Sequence, residues 1–244
     1  MTKNIKVVDS FFEQLEKITK PHIEDSIFGK EYIITNPDNS STVIKRFTFD
    51  NKYELCFMKS NGKMNYEYIS PNEKIRENII EIVYYYDGKT KMISQPDNKI
   101  YHLKKGDIAI HYTKNCFSGY FEHNNISVIS INLYVKKLKN DLNLKTVDKL
   151  ISEWEAKVEN IFKDDKCIIE KANTEIKTLA LQVQNVSLKE INDYFEFKSK
   201  IIQLFFLILK SNLKSVSTEK YDASVTSEKI KSVISRNSYY KRIM

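Results

Sequence analysis

Glycine occurs only five times and proline four times in the 244 residues of this chain. There is no GxGxxG and no GxxxxGK[ST] run, which excludes the glycine-rich loops that cradle phosphates in nucleotide-binding proteins. Histidine is equally sparse. His22, His102, His111 and His123 form no HxH or HxxxH pair, and none has a carboxylate at ligand spacing, so neither a metal nor another cofactor is expected. Cys56, Cys116 and Cys167 are odd in number and lack CxxC spacing, which argues against a disulfide framework and a zinc site and fits a reducing cytoplasm. No GxSxG elbow is present and no cysteine has a recognisable catalytic context, so the cysteines read as small core hydrophobes and the chain as a non-enzyme. The longest apolar run, Ile201 to Leu209, is well short of the ~20 residues that span a bilayer. The first residues lack the apolar core of a signal peptide, so a soluble protein with no membrane partner is expected.

What is present is enough for a core: 41% of residues are hydrophobic, in a length that suits one large domain or two modest ones. The net charge of +7 comes from 39 basic residues set against 32 acidic ones spread along the chain, and is a weak pointer to nucleic acid.

Taken in order, Ile5, Val8, Phe11, Phe12, Leu15 and Ile18 recur at helical spacing before Pro21, giving an amphipathic helix and arm over residues 1–29. Short β-type runs follow: Tyr32 to Ile34, Thr42 to Phe49, Tyr53 to Met58 and Met64 to Ile69, separated by turn chemistry at 36–41, Asp50-Asn51 and 60–62. Ile79 to Tyr86 and Lys89 to Ile93 read as a hairpin about Asp87-Gly88. Ile100 to Leu103 and Ile108 to Tyr112 read as a second one, cornered at Gly106. Ser118 to Phe121 and Ile126 to Val135 add two further strands. This rhythm predicts a barrel or sandwich over residues 30–140 in place of a parallel sheet, and the two successive hairpins suggest a small antiparallel barrel.

The period then changes. Val147, Leu150, Ile151, Trp154, Val158, Ile161 and Phe162 share one helical face; Thr174 to Val183 reads as a shorter helix; and Ser187 with Glu190 resembles a capping box that opens a helix running to about Leu213. In that last helix Ile191, Phe195, Ile202, Phe205 and Leu209 form one stripe, while Ile201, Leu204, Phe206 and Ile208 lie off it. Two stripes on one helix suggest a partner, so residues 141–213 are expected to dimerise, with Leu204, Phe205 and Ile208 as contacts. Residues 214–244 read as a polar linker and one short helical pattern.

Tyrosines at 53, 66, 68, 84, 85, 86 and 101 fall on predicted strands and would suit the wall of a small-molecule pocket, although tyrosine also suits any half-buried strand. Glu81 is different, because an acid inside an apolar strand must reach water, a partner or a ligand. Glu81, Tyr84, Tyr86 and His111 are the candidate ligand contacts. By themselves His102 and His111 read as ordinary strand residues, and His22 and His123 as loop residues.

The order Ile80-Glu-Ile-Val-Tyr-Tyr-Tyr-Asp-Gly88, Tyr101-His-Leu-Lys-Lys-Gly-Asp-Ile-Ala-Ile110 and the helix from Tyr194 to Leu209 resembles the cupin-like sensor and dimerisation region of AraC-type transcriptional regulators. The resemblance covers about Phe47 to Leu209. It implies an α+β fold, an antiparallel cupin-like β-barrel followed by a helical dimerisation region, with a small-molecule effector in the barrel and a homodimer as the working form. In that family a following domain with two helix-turn-helix units reads DNA; here 214–244 resembles a linker and only its start, so no specific DNA binding by this chain alone is expected. The usual cupin metal ligands are missing, which fits a sensor. The alternatives are a stand-alone cupin-like small-molecule-binding protein or enzyme, and a partner that forms heterodimers with a full-length relative.

Overall fold

The computed structural model describes residues 7–26, 28–36, 38–49, 53–70, 79–95, 98–112, 118–134, 156, 167–186, 188 and 190–216. The chain divides into two compact units, Met1–Lys177 and Thr178–Met244. The expected helix around Trp154 and the segment 217–244 lie outside the described residues.

The first unit opens with α1 (Val7–Thr19), whose Val8, Phe12 and Leu15 recur at helical spacing and are buried. Among the described residues ten strands follow: β1 (His22–Ser26), β2 (Gly29–Thr35), β3 (Ser41–Phe49), β4 (Tyr53–Ser60), β5 (Lys63–Tyr68), β6 (Ile79–Ser94), β7 (Ile100–Lys104), β8 (Asp107–Tyr112), β9 (Gly119–Tyr134) and β10 (Cys167–Lys171). All pairings are antiparallel, in the order β1-β2-β3-β4-β9-β6-β8-β10, with β5 also on β9 and β7 also on β6. The α+β class is as expected. The barrel is not: among the described residues β1 and β10 end the strand order and do not pair, so the sheet is not closed into a barrel.

Two long strands organise this sheet. β6 and β9 pair from Ile79↔Tyr134 to Ser94↔Gly119, with register shifts at Tyr85/Asp87 and Asp87/Lys89. On one side of the bend β9 carries β4 and β6 carries β8; on the other β9 carries β5 and β6 carries β7. One sheet therefore becomes two half-sheets that share a single core, to which Tyr32, Ile44, Met58, Tyr85 and Val128 contribute from the first and Met64, Met92, Tyr101 and Leu103 from the second.

Asp87-Gly88 thus makes a bulge within one strand rather than the turn of a hairpin, because the left-handed backbone that suits a tight turn equally suits an extra residue in a ladder. Gly88 has φ +82°, and a Cβ there would lie 2.3 Å from the Asn125 carbonyl oxygen and 2.6 Å from Ile126 Cα, so the facing strand allows no side chain. Asn125, opposite, is also left-handed at φ 49°. The second expected hairpin is likewise a bend: β7 and β8 follow one another along the same edge of β6, and their Gly106 corner donates its N–H to Tyr85 O at 2.8 Å, level with the bulge. The two strands expected at Ser118 to Phe121 and Ile126 to Val135 are parts of the one strand β9, Gly119–Tyr134; Val135 lies outside the described residues. His22 and His123 lie on strands, not loops, and β10 is a strand that residue patterning alone did not indicate.

α1 packs against both half-sheets. The Phe12 ring sits 4.6 Å from that of Tyr32, and the Phe11 ring 5.7 and 6.0 Å from those of Tyr66 and Tyr68. Gln14 Nε2 donates to Ile69 O at 2.8 Å while its Oε1 accepts from Ile69 N at 3.0 Å. Arg46 donates to Asp9 of the helix and to fully buried Glu54 (2.6 and 2.9 Å), and its guanidinium lies 4.6 Å from the centre of the Phe12 ring. Tyr134 Oη donates to the other Glu54 oxygen at 2.8 Å. Burial alone would lower the Arg46 pKa, but Glu54 and Asp9 outweigh it and hold the guanidinium charged.

In the second unit α2 (Thr174–Gln184), which begins just inside the first, is capped by Asn173 Oδ1, which accepts from Ile176 N at 2.9 Å. α3 (Ile191–Val216) starts four residues later than Ser187. Asp193 Oδ2 reaches back to the Glu190 N–H at 3.0 Å and closes its first turn. No helix among the described residues is long and apolar enough to cross a membrane.

The two left-handed glycines differ in their surroundings, and this generates a test. At Gly106 (φ +80°) an added Cβ meets only Lys177 Cε at 3.8 Å, so Gly106→Ala is expected to cost about 1–2 kcal/mol, from backbone conformation alone. Gly88→Ala adds a backbone clash and is expected to be distinctly more destabilising in urea unfolding; equal costs would contradict the bulge geometry.

Candidate functional site

In an antiparallel sheet, residues directly opposite each other across strands present their side chains to the same face. The register then draws a polar row across five strands: Glu54 (β4) faces Asn132 (β9), which faces Glu81 (β6), His111 (β8) and Cys167 (β10) in succession. One step along the strands lies a second row, Arg46, Cys56, Ser130 and Val83. Both rows look toward the shared core. Residues of the other parity on the same strands, Leu55, Ile80, Ile82, Ile110, Ile129 and Ile131, are apolar and buried on the opposite face.

The second half-sheet presents Tyr66 with Phe121, and His123 with Thr90, to the same core. Tyr66 and Phe121 stack with ring centres 5.0 Å apart and planes at 18°. Thr90 Oγ1 and His123 Nδ1 are 2.7 Å apart, His123 Nε2 and Tyr66 Oη 3.2 Å, and the Tyr85 phenol hydrogen-bonds to Thr90. A chain of hydrogen bonds thereby joins the half-sheets through Tyr85, Thr90, His123 and Tyr66.

Strands paired on both sides normally leave little accessible on their inner face, yet Cys56, Glu81, Val83, Ser130 and Phe121 are only partly buried, as is Tyr66 on the edge strand β5. They are not shallow. Burial pushes the Cys56 thiol up, with Glu54 and Glu81 adding to the shift, and pushes the Tyr66 phenol well above its ordinary value, with Tyr85 and Glu81 adding. Side chains that are deep and still accessible mark this inner face as the candidate site. Glu81 lies on this face: Oε1 accepts from Ser130 Oγ at 2.7 Å, and Ser130 Oγ in turn accepts from Asn132 Nδ2 at 3.1 Å.

Of the four candidates read from the sequence, the structure brings two together and separates two. Glu81 and His111 are cross-strand neighbours in the interior row. Tyr84 is three residues from Glu81 and so faces the other side of the sheet, with the Tyr86 ring edge-on to it at 4.9 Å. Patterning also missed Asn132, Ser130, Cys56, Thr90 and His123, while Tyr66 was among the tyrosines read as suited to a pocket wall. Period 2 on β9 places Ser130 and Asn132 on one face, but which face is inward depends on partners distant in sequence.

The remaining candidates, Leu204, Phe205 and Ile208 on α3, were expected to meet a second copy, but they are buried within one chain. The covered stripe is Phe197, Ile201, Leu204, Phe205, Ile208 and Leu209, rotated from the expected one, while Phe195 is 48% exposed. A groove of about 720 Å³ lies between α2 and α3, but its lining combines Leu181 and Val186 with Glu190, Asp193 and Glu196 and gathers no aromatic or histidine side chain.

The interior histidines are neutral near pH 7. Burial lowers the pKa of His111, opposed by the Glu81 charge, and brings His123 from 6.5 down to about 4. His111 Nε2 lies 3.9 Å from Cys167 Sγ, a weak contact. Among the described residues no three His, Cys, Asp or Glu side chains gather to hold a metal ion. The set provides hydrogen bonds, aromatic faces and one carboxyl.

No family model matches this chain, and no curated protein matches it. Solved structures do. The AraC-like transcriptional activator CuxR matches with TM-score 0.48 and 8% identity over 88% of this chain and 68% of its own. ToxT from Vibrio cholerae O395, solved with (E)-4-(8-methylnaphthalen-1-yl)but-3-enoic acid, matches with TM-score 0.40 and 14% identity over 66% of this chain and 58% of its own. A cupin domain of an XRE-family regulator from Enterobacter cloacae matches with TM-score 0.30 and 16% identity over 38% of this chain and 96% of its own. The structural neighbours are AraC-like regulators and cupin domains. At these scores the likeness assigns no activity, and function rests on the residues of this chain.

Protonating His123 needs an opened structure, so its contribution to stability is full above pH 6.5 and is lost as pH falls toward about 4. Between pH 7 and pH 5 the wild type is expected to lose roughly 2 kcal/mol more stability in urea than His123→Gln, which cannot take up the proton. Parallel pH profiles for the two proteins would contradict this placement.

Proposed function

We propose that this chain is the effector-sensing part of an AraC-like transcriptional regulator, binding a small molecule between its two half-sheets. One observation carries the reading: accessible polar and aromatic side chains, Glu81, Ser130, Cys56 and Tyr66, converge from β6, β9, β4 and β5 on the inner face shared by the half-sheets. Polar groups cost free energy in such a place unless something satisfies them, and a mostly apolar space with a few convergent polar groups is the usual form of a ligand site. DNA reading is assigned to no element among the described residues. The reading makes the chain a binding protein and not an enzyme, so a ligand recovered after incubation is expected unchanged.

A test is to compare transcripts in a strain lacking the chain with those restored by the wild type, by Ser130→Phe and by the milder Val83→Met, both of which fill the interior space. The wild type is expected to restore the profile and the two variants, at equal folded abundance, to fail. Unchanged transcripts in the deletion strain would remove the regulator; full restoration by both variants would remove the interior site.

Self-association through α3 is part of this proposal. Because Leu204, Phe205 and Ile208 are already covered, the contact is placed on Phe195, Ile202 and Phe206, which share one helical face and keep accessible surface. In sedimentation the chain is expected to dimerise and the Phe195→Glu, Phe206→Glu double variant to dissociate while folded; a wild-type monomer at every concentration contradicts the contact.

A further inference from the structure

The charges of the interior are unequally answered. Arg46 is matched by Glu54 and Asp9, and buried Asp107 by Lys171 and the Lys104 N–H. Glu81 has no such partner: among the described residues its carboxyl receives one hydrogen bond, from Ser130, and no cationic side chain lies within ion-pair distance. Four side chains from four strands, Cys56, Tyr66, Tyr85 and His111, lie within electrostatic reach of it, and none can supply a positive charge near pH 7. Aromatic faces stand nearby in the Tyr66 and Phe121 stack.

Resting on the sensor reading above, we propose that the interior site takes a small organic cation: a primary amine on an apolar, ring-bearing body, with its ammonium on Glu81 and its body against Tyr66 and Phe121. An ammonium supplies donors and the opposite charge to a carboxyl in a poorly solvated place. The negative faces of the surrounding rings favour a cation for the same electrostatic reason. A carboxylic acid or phosphate of the same size would meet Glu81 with no compensating charge, and an alcohol would gain one hydrogen bond without the charge attraction.

Three indoles that differ only in that group separate these cases: tryptamine (cation), tryptophol (neutral) and indole-3-acetate (anion), together with the matched phenethyl series. Titration calorimetry and thermal unfolding on the full chain are expected to show tryptamine or phenethylamine binding about tenfold or more tightly than its alcohol, and the acid not at all. Glu81→Gln keeps the shape and the Ser130 contact; it is expected to remove most of the amine preference and leave the alcohol nearly unchanged. An alcohol or acid that binds as tightly as its amine, in a manner abolished by Ser130→Phe, overturns the cation while leaving the interior sensor site standing. Amine binding indifferent to both Glu81→Gln and Ser130→Phe overturns the site assignment. Silence from both series overturns the proposal, and the transcript comparison then decides the sensor reading separately.

Discussion

The shared bend in β6 and β9 is the constraint on which the rest of the first unit depends. Two long strands pair along their whole length, and where Gly88 and Asn125 both take left-handed backbone the pair turns, carrying β4 and β8 to one side and β5 and β7 to the other. Without the turn the same strands would form one flat, wide sheet with no interior. With it, Tyr85 ends one half and Thr90 begins the next, and their hydrogen bond, continued through His123 to Tyr66, ties the halves together. The corner at Gly106 is held to the bend by its bond to Tyr85 O, so the edge strands follow.

That geometry explains why polar groups can sit in the middle of a sheet. A row from Glu54 to Cys167 would be costly if pressed against a second apolar layer. Here one end is satisfied by Arg46 and Tyr134, and its middle opens onto the interior between the half-sheets. Both α1 and the Arg46 network close on that interior: Phe11 packs on Tyr66, Phe12 on Tyr32, and Asp9 accepts from Arg46. An effector that displaced Tyr66 or the Phe11 ring would be felt by α1 directly.

Much of the local structure was legible in the residues. The helical spacing of Val8, Phe12 and Leu15, the β-type runs of β2 to β5 and the change to helices after the sheet all correspond to elements. Local chemistry was less able to distinguish a turn from a bulge: Asp87-Gly88 has the residues of a hairpin, and only the facing Asn125 and Ile126 decide that the strand continues. Glu81 was conspicuous because it is an acid in an apolar run. Ser130, Asn132 and His123 were not, since polar residues on alternating positions of β9 look like a solvent face until β4, β5 and β6 are placed beside them. The three tyrosines 84 to 86 illustrate the same limit: Tyr85 faces the interior and its two neighbours face away. On α3 the covered stripe is displaced from the one read from spacing, because a helix that is apolar on most sides carries several plausible stripes and tertiary packing selects among them.

The most direct measurement of the account is a crystal structure of the chain grown with whichever of the two amines it binds more tightly. Density is expected between the half-sheets, with the ammonium in hydrogen-bond contact with Glu81 and the ring against Tyr66 and Phe121. Density confined to the groove between α2 and α3, or to the outer face beside Tyr84 and Tyr86, would contradict it.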